Sequence, residues 1–189
     1  LTAPMAAPLS RFSDILLLGS TALVPQWRVD GTVQFNTDTS RTVRSILSAR
    51  WQPGPFQTVS TTYRFARGLN EQVELGWQWP IYRGKGSASP GACNGSLYGV
   101  GRVNYSMKDS RITDAIAGLE YDAGCWIGRL VFERTSTSRA EARQHVYLQL
   151  ELVGLSKLGP SPLKVLKDNI PGYQLLHDDS VAPPTSTAP

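Results

Sequence analysis

The residue types that ordinarily carry chemistry are scarce in this chain and poorly placed for it. There are two histidines, His145 and His177, and two cysteines, Cys93 and Cys125. A histidine acts as a general base only within hydrogen-bond reach of the group it deprotonates. Neither histidine is matched to a nucleophile by a recognisable motif: His145 opens a strand-like run and His177 sits in a Pro/Ser/Thr-rich tail. The cysteines lack CxxC spacing and are too few for a zinc set or a disulfide scaffold. Glu120 and Glu133 could serve as paired acids, but they fall on neighbouring strand-like runs beside Arg129. With Arg102 they read more simply as charges of a solvated ion network. Gly99-Val100-Gly101 lies inside a strand pattern with no helix after it, so it is not a phosphate loop; glycines there suit a bend, a bulge or close approach. No catalytic, metal-binding or cofactor-binding residue is assigned, and the expectation is a protein that is not an enzyme and uses no cofactor.

The elements that hold these residues are alternating runs. In Val146-Tyr147-Leu148-Gln149-Leu150-Glu151-Leu152 every second residue is aliphatic, and Tyr147, Gln149 and Glu151 make the opposite face. Residues 27–36 set Trp27, Val29, Val33 and Phe35 against Arg28, Asp30, Thr32, Gln34 and Asn36, and residues 71–79 set Val73, Leu75, Trp77 and Trp79 against Gln72, Glu74 and Gln78. Similar runs occupy 13–20, 42–51, 58–65, 97–107, 112–121, 126–134 and 144–154, with Ile46 out of phase. Gln52-Pro53-Gly54-Pro55 reads as a turn, and Pro80 as the end of a ladder because it has no N–H to donate.

This predicts an all-β protein, an antiparallel transmembrane β-barrel of about nine strands of about ten residues, the length that crosses a bilayer in a tilted barrel. Charges of both signs on the non-aliphatic face fit a watery lumen, since a dry core penalises each unpaired charge. Tryptophans and tyrosines at strand ends on the aliphatic face fit an interfacial girdle. On this reading Leu150→Arg impairs insertion and Gln149→Arg is tolerated. A passive porin or substrate-specific channel, and a soluble β-barrel binding module, are the competing readings of the same periodicity.

A 189-residue chain with 41% hydrophobic and 18% charged residues is composed like one folded domain. The longest purely aliphatic run is Ile15-Leu16-Leu17-Leu18, too short for a membrane-spanning helix. The net charge of +4 is spread over single arginines rather than clustered, which argues against nucleic acid. Residues 1–12 read as a lead segment and the start of a fragment, since Leu1 to Ser10 has neither the basic start nor the apolar core of a signal peptide. Residues 13–155 read as the barrel strands. Residues 156–189 read as a periplasmic C-terminal segment, with a short helix at 163–167 and a disordered tail. With the last strand running toward the periplasm, the turns at 22–26, 52–56, 80–96 and 122–125 are periplasmic and the loops at 37–40, 66–70, 108–110 and 135–143 extracellular. Both cysteines then lie in an oxidising compartment, where Cys125 is expected in a disulfide, with Cys93 or with a cysteine upstream of this chain.

Several ordered motifs resemble one family. Tyr98-Gly99-Val100-Gly101-Arg102-Val103-Asn104-Tyr105-Ser106, Ala117-Gly118-Leu119-Glu120-Tyr121-Asp122 with Cys125-Trp126, and Leu148 to Leu152 before Gly154-Leu155 and Leu158-Gly159 are similar to the C-terminal part of the outer-membrane LPS-assembly family LptD. Ile170-Pro171-Gly172-Tyr173 and Gln78-Trp79-Pro80 extend the likeness. The resemblance implies a large barrel in the Gram-negative outer membrane that inserts lipopolysaccharide into the outer leaflet. It also implies an LptE-type lipoprotein plug and an LptA-type periplasmic bridge acting through an N-terminal domain absent from this chain. It makes the last strand, with Tyr147, Gln149 and Glu151 on its lumen face, one edge of a lateral gate. Family members commonly carry two adjacent cysteines after the Tyr-Asp pair, bonded to the N-terminal region; here Gly124 precedes a single Cys125. The resemblance favours an N-terminal partner for Cys125 over Cys93.

Overall fold

The structure, a computed structural model, describes residues 13–22, 24–84, 95–136, 142–153 and 155–176. The lead segment, Cys93, most of the loop expected at 135–143 and the tail with His177 lie outside the described residues.

The described chain forms one antiparallel sheet of ten strands in sequential order. These are β1 (Ile15–Thr21), β2 (Trp27–Asn36), β3 (Arg41–Gly54), β4 (Gln57–Ala66), β5 (Asn70–Arg83), β6 (Ser96–Ser106), β7 (Arg111–Asp122), β8 (Trp126–Ser136), β9 (Ala142–Leu152) and β10 (Ser156–Leu158), followed by helix α1 (Leu163–Asn169). β1 and β10 are the edges, so the sheet is not closed. The all-β antiparallel expectation holds, and β10 adds a short strand to the nine read from periodicity.

Two expectations about proline are corrected. Pro80 does not end β5, which runs on to Arg83 across a register shift between Pro80 and Tyr82. Pro80 still pairs with Tyr98, and the residue left out is Ile81, so the proline sits where the ladder is already interrupted and its missing N–H costs little. Likewise Gln52, Pro53 and Gly54 belong to β3, beyond a shift after Trp51, and the turn itself is Pro55-Phe56, with Gly54 opposite Gln57.

Register puts most aliphatic residues of the full-length strands on one face. Across the middle of the sheet one row runs Trp77, Gly101, Ala117, Phe132 and Val146; the next runs Trp79, Gly99, Leu119, Leu130 and Leu148. Many of these side chains are exposed, Phe132 at 50% and Leu148 at 66%. Near the end that carries the 55–56 and 123–125 turns, aromatics join across strands. Trp27 stacks on Trp51 at 5.9 Å, Trp51 meets Trp79 at 5.8 Å, and Tyr121 meets Trp126 at 5.3 Å. Trp77 lies one rung inward, with its indole over Gly101, where a Cβ would collide with the ring. An aromatic covering a strand glycine in this way restores cross-strand contact that the glycine alone lacks.

The opposite, polar face is not uniformly wet. Val100, Ile116 and Val131 form an apolar patch there, fully buried beneath Leu166 and Ile170. The chain turns back after β10. Leu166 and Ile170 stand four residues apart, on one face of α1 and its C-terminal cap, while Lys164, Lys167 and Asp168 face outward. The amide of Ile170 closes the helix on the carbonyl of Leu166 at 2.9 Å, and Pro171 prevents its continuation. A smaller cluster joins Tyr98, Ile127 and Leu176.

Candidate functional site on the polar face

Adjacent strands carry the charged residues of this face into register. Glu120 on β7 lies opposite Arg129 on β8, and Arg129 lies opposite Gln149 on β9. The Arg129 Nε donates to Glu120 Oε1 at 3.1 Å, and its Nη1 bonds Glu151 and, at 3.4 Å, Gln149 Oε1. Lys157 on β10 reaches the other oxygen of Glu151 at 3.3 Å. Two carboxylates thus face two cations. Glu120, Arg129, Gln149 and Glu151 are 0%, 1%, 1% and 3% exposed.

What removes these groups from water is the C-terminal segment. The Tyr173 hydroxyl donates to Glu120 Oε1 at 2.6 Å. Beside it, Gln174 pairs reciprocally with Gln78 on β5: its amide donates to Gln78 Oε1 at 2.8 Å, and its carbonyl accepts from Gln78 Nε2 at 2.9 Å. Gln52 on β3 donates to the Gly172 carbonyl at 3.2 Å. Gly172 takes φ of 87°, and a side chain there would press on Arg50, Gln52 and Thr58, so glycine is needed for both conformation and space. Residues 166–174 therefore reach from β8 back to β3. Burial, and then the neighbouring Glu120 carboxylate, hold the Tyr173 phenol well above its ordinary pKa, so it remains a hydrogen-bond donor.

A second network lies toward the other end of the same face. Glu74 pairs with Arg64 at 2.8 Å and with Arg102 at 3.4 Å, and Arg102 also bonds Asp114. Tyr147 on β9 donates to Glu133 Oε2 at 3.0 Å. The residues singled out from the sequence, Arg102, Glu120, Arg129, Glu133, Tyr147, Gln149 and Glu151, thus fall into two ion-pair networks and one hydrogen-bonded pair on a single face. The sequence reading is corrected on one point. Glu120 and Arg129 are dry, not solvated, so Gln149→Arg, expected to be tolerated, instead puts a second cation beside buried Arg129.

The residues missed were those that cover the network, Leu166, Ile170, Tyr173 and Gln174. A signal existed: Val100, Ile116 and Val131 are apolar on the phase that should be polar, and a nearby helix repeats apolar residues at four-residue spacing. Among the described residues there is no group of three or more His, Cys, Asp or Glu side chains able to hold a metal ion. Cys125 is not a free thiol; it sits in the β7–β8 turn, where Asp122 Oδ1 accepts from the Gly124 amide at 2.7 Å and Gly124 takes φ of 80°.

An open antiparallel sheet with an apolar outer face, an aromatic band near one end and paired charges on the other face is a wall of a transmembrane β-barrel. The sequence matches the family model described as "LptD: LPS transport system D" over residues 5–84. The LPS-assembly protein LptD of Albidiferax ferrireducens is 49% identical over 187 residues, covering 95% of this chain and 23% of that protein. Those of a Polaromonas species and Thiobacillus denitrificans are 44% and 37% identical, over 94% and 86% of this chain and 22% and 21% of their own lengths. The chain belongs to the LptD family, whose members are Gram-negative outer-membrane proteins, and it aligns with their C-terminal part. It spans less than a quarter of the curated relatives named here.

Proposed function

We propose that this segment is the closing wall of an outer-membrane barrel that inserts lipopolysaccharide into the outer leaflet, and that β9 is its gate strand. The observation that carries the gate role is the edge of β9. Among the described residues, only Leu150 to Leu152 on that side are paired, with β10, which leaves the ladder groups of residues 142–149 open for a strand from elsewhere in the full-length protein. The polar face is then the lumen, where an LptE-type plug would sit, and the end bearing the 123–125 turn is periplasmic, toward an LptA-type bridge. The test is a cysteine pair joining Tyr147 to the barrel's first strand in full-length protein. Crosslinking is expected to stop lipopolysaccharide reaching the cell surface while the barrel stays folded; normal delivery by a fully crosslinked population would overturn the gate role.

Within the same reading Cys125 is a structural disulfide, joined to a cysteine upstream of this chain, the partner the family resemblance favours, with Cys93 the alternative. Peptide mapping of the non-reduced full-length protein is expected to recover Cys125 joined to an upstream cysteine; recovery of a Cys93–Cys125 pair would establish the alternative.

A further inference from the structure

We propose that the outer face of β6 to β9 carries a lipid seat, a groove that takes an acyl chain of lipopolysaccharide with its phosphate at Arg134. This rests on the orientation and membrane function proposed above. Two hollows share Ala117 and Phe132. One is bounded by Trp77, Leu119 and Leu130, with Gly99 and Gly118 in its lining; the other opens past Ala115 toward Arg134 and Gln144. The hollows exist because glycine and alanine stand where neighbouring strands place tryptophan, phenylalanine and leucine. From Leu119 to Ala115 along β7 is four residues, about 14 Å along the strand and about 10 Å in depth once the strand tilts, which fits within the roughly 12 Å outer half of an apolar band about 25 Å tall.

The occupant follows from charge and depth. Arg134 shares a face with Phe132 and is exposed, so a cation stands on the lipid-facing side of the sheet. It lies eight residues from Trp126 of the aromatic band, about 27 Å along the strand and about 20 Å in depth once the strand tilts. That places Arg134 at the interface opposite the band, the extracellular one in the proposed orientation. A guanidinium there complements a phosphate, with which it forms charge-assisted paired hydrogen bonds. A groove that runs from that cation into the outer-leaflet half of the bilayer therefore suits a phosphorylated glycolipid of that leaflet.

The test is native mass spectrometry of the full-length protein, wild type, Ala117→Trp and Arg134→Glu, after delipidation and incubation with defined ratios of lipopolysaccharide or phosphatidylglycerol. The wild type is expected to retain lipopolysaccharide. Ala117→Trp, which fills the hollow, and Arg134→Glu should each reduce retention about tenfold, while Leu75→Trp, on the same face outside the groove, should not. Heat-modifiability on gels checks folding, and Arg134→Glu, at an exposed position, keeps the test valid should Ala117→Trp fail to fold. Equal retention by wild type and Arg134→Glu overturns the seat, as does equal occupancy by phosphatidylglycerol. Surface delivery of lipopolysaccharide after depletion of the full-length protein is measured separately; its persistence would reject the transport reading, whereas loss of binding selectivity rejects only the seat.

Discussion

Replacing Arg129 with methionine in the full-length protein is expected to destabilise the barrel by about 3–5 kcal/mol, the typical cost of removing one partner from a buried ion pair. Arg129 is the cation that both Glu120 and Glu151 share within the sheet, and the other hydrogen bond to Glu120 comes from the neutral Tyr173 hydroxyl. Without the guanidinium, Glu120 must take up a proton or draw water into a site closed by the C-terminal segment. The measurement is the denaturant midpoint of the refolded barrel. The triple replacement Arg129→Met, Glu120→Gln, Glu151→Gln should recover most of the loss, because it removes the stranded charges as well as the pair. A single replacement that leaves the midpoint unchanged, or a triple replacement no better than the single one, would show that the network does not act as a unit.

Leu148→Arg is expected to weaken insertion by about 2–4 kcal/mol, and more than Leu150→Arg or Leu152→Arg. Leu152 lies opposite Trp126 in the aromatic band, so Leu150 is one rung inward and Leu148 two, about 14 Å along the strand and about 10 Å in depth. A band about 25 Å tall has its midplane near that level, which moves the largest effect from Leu150, mid-strand by sequence, to Leu148. Thr32→Arg, on the half-buried polar face of β2 beside Asp30, is the control and should be tolerated. Folded fractions in vesicles over a urea series give the ranking. Equal losses at Leu148 and Thr32 would mean that the two faces have been assigned wrongly.

The nine long strands, most of their faces and the charged residues of interest were legible in the sequence, because side-chain alternation is a local property that reports which way each residue points without knowledge of its neighbours. Glu120, Arg129 and Glu151 were placed on the polar face in this way, and so was the short helix near Leu163. Register was another matter. That Glu120 meets Arg129 and Arg129 meets Gln149 depends on how each hairpin turns, and the bulges after Trp51 and Pro80 allow prolines to continue strands that local rules would have ended. Tertiary structure alone decided that the polar face is partly dry. Tyr173 finds Glu120 across 53 residues and Gln174 finds Gln78 across 96. A contact of that separation leaves no periodic trace, because the segments that make it are constrained by each other's shape rather than by their own repeat. Val100, Ile116 and Val131 look like lapses in an alternating pattern until Leu166 and Ile170 are placed over them. The physical reason is that burial, unlike side-chain direction, depends on the far segments that pack against a face.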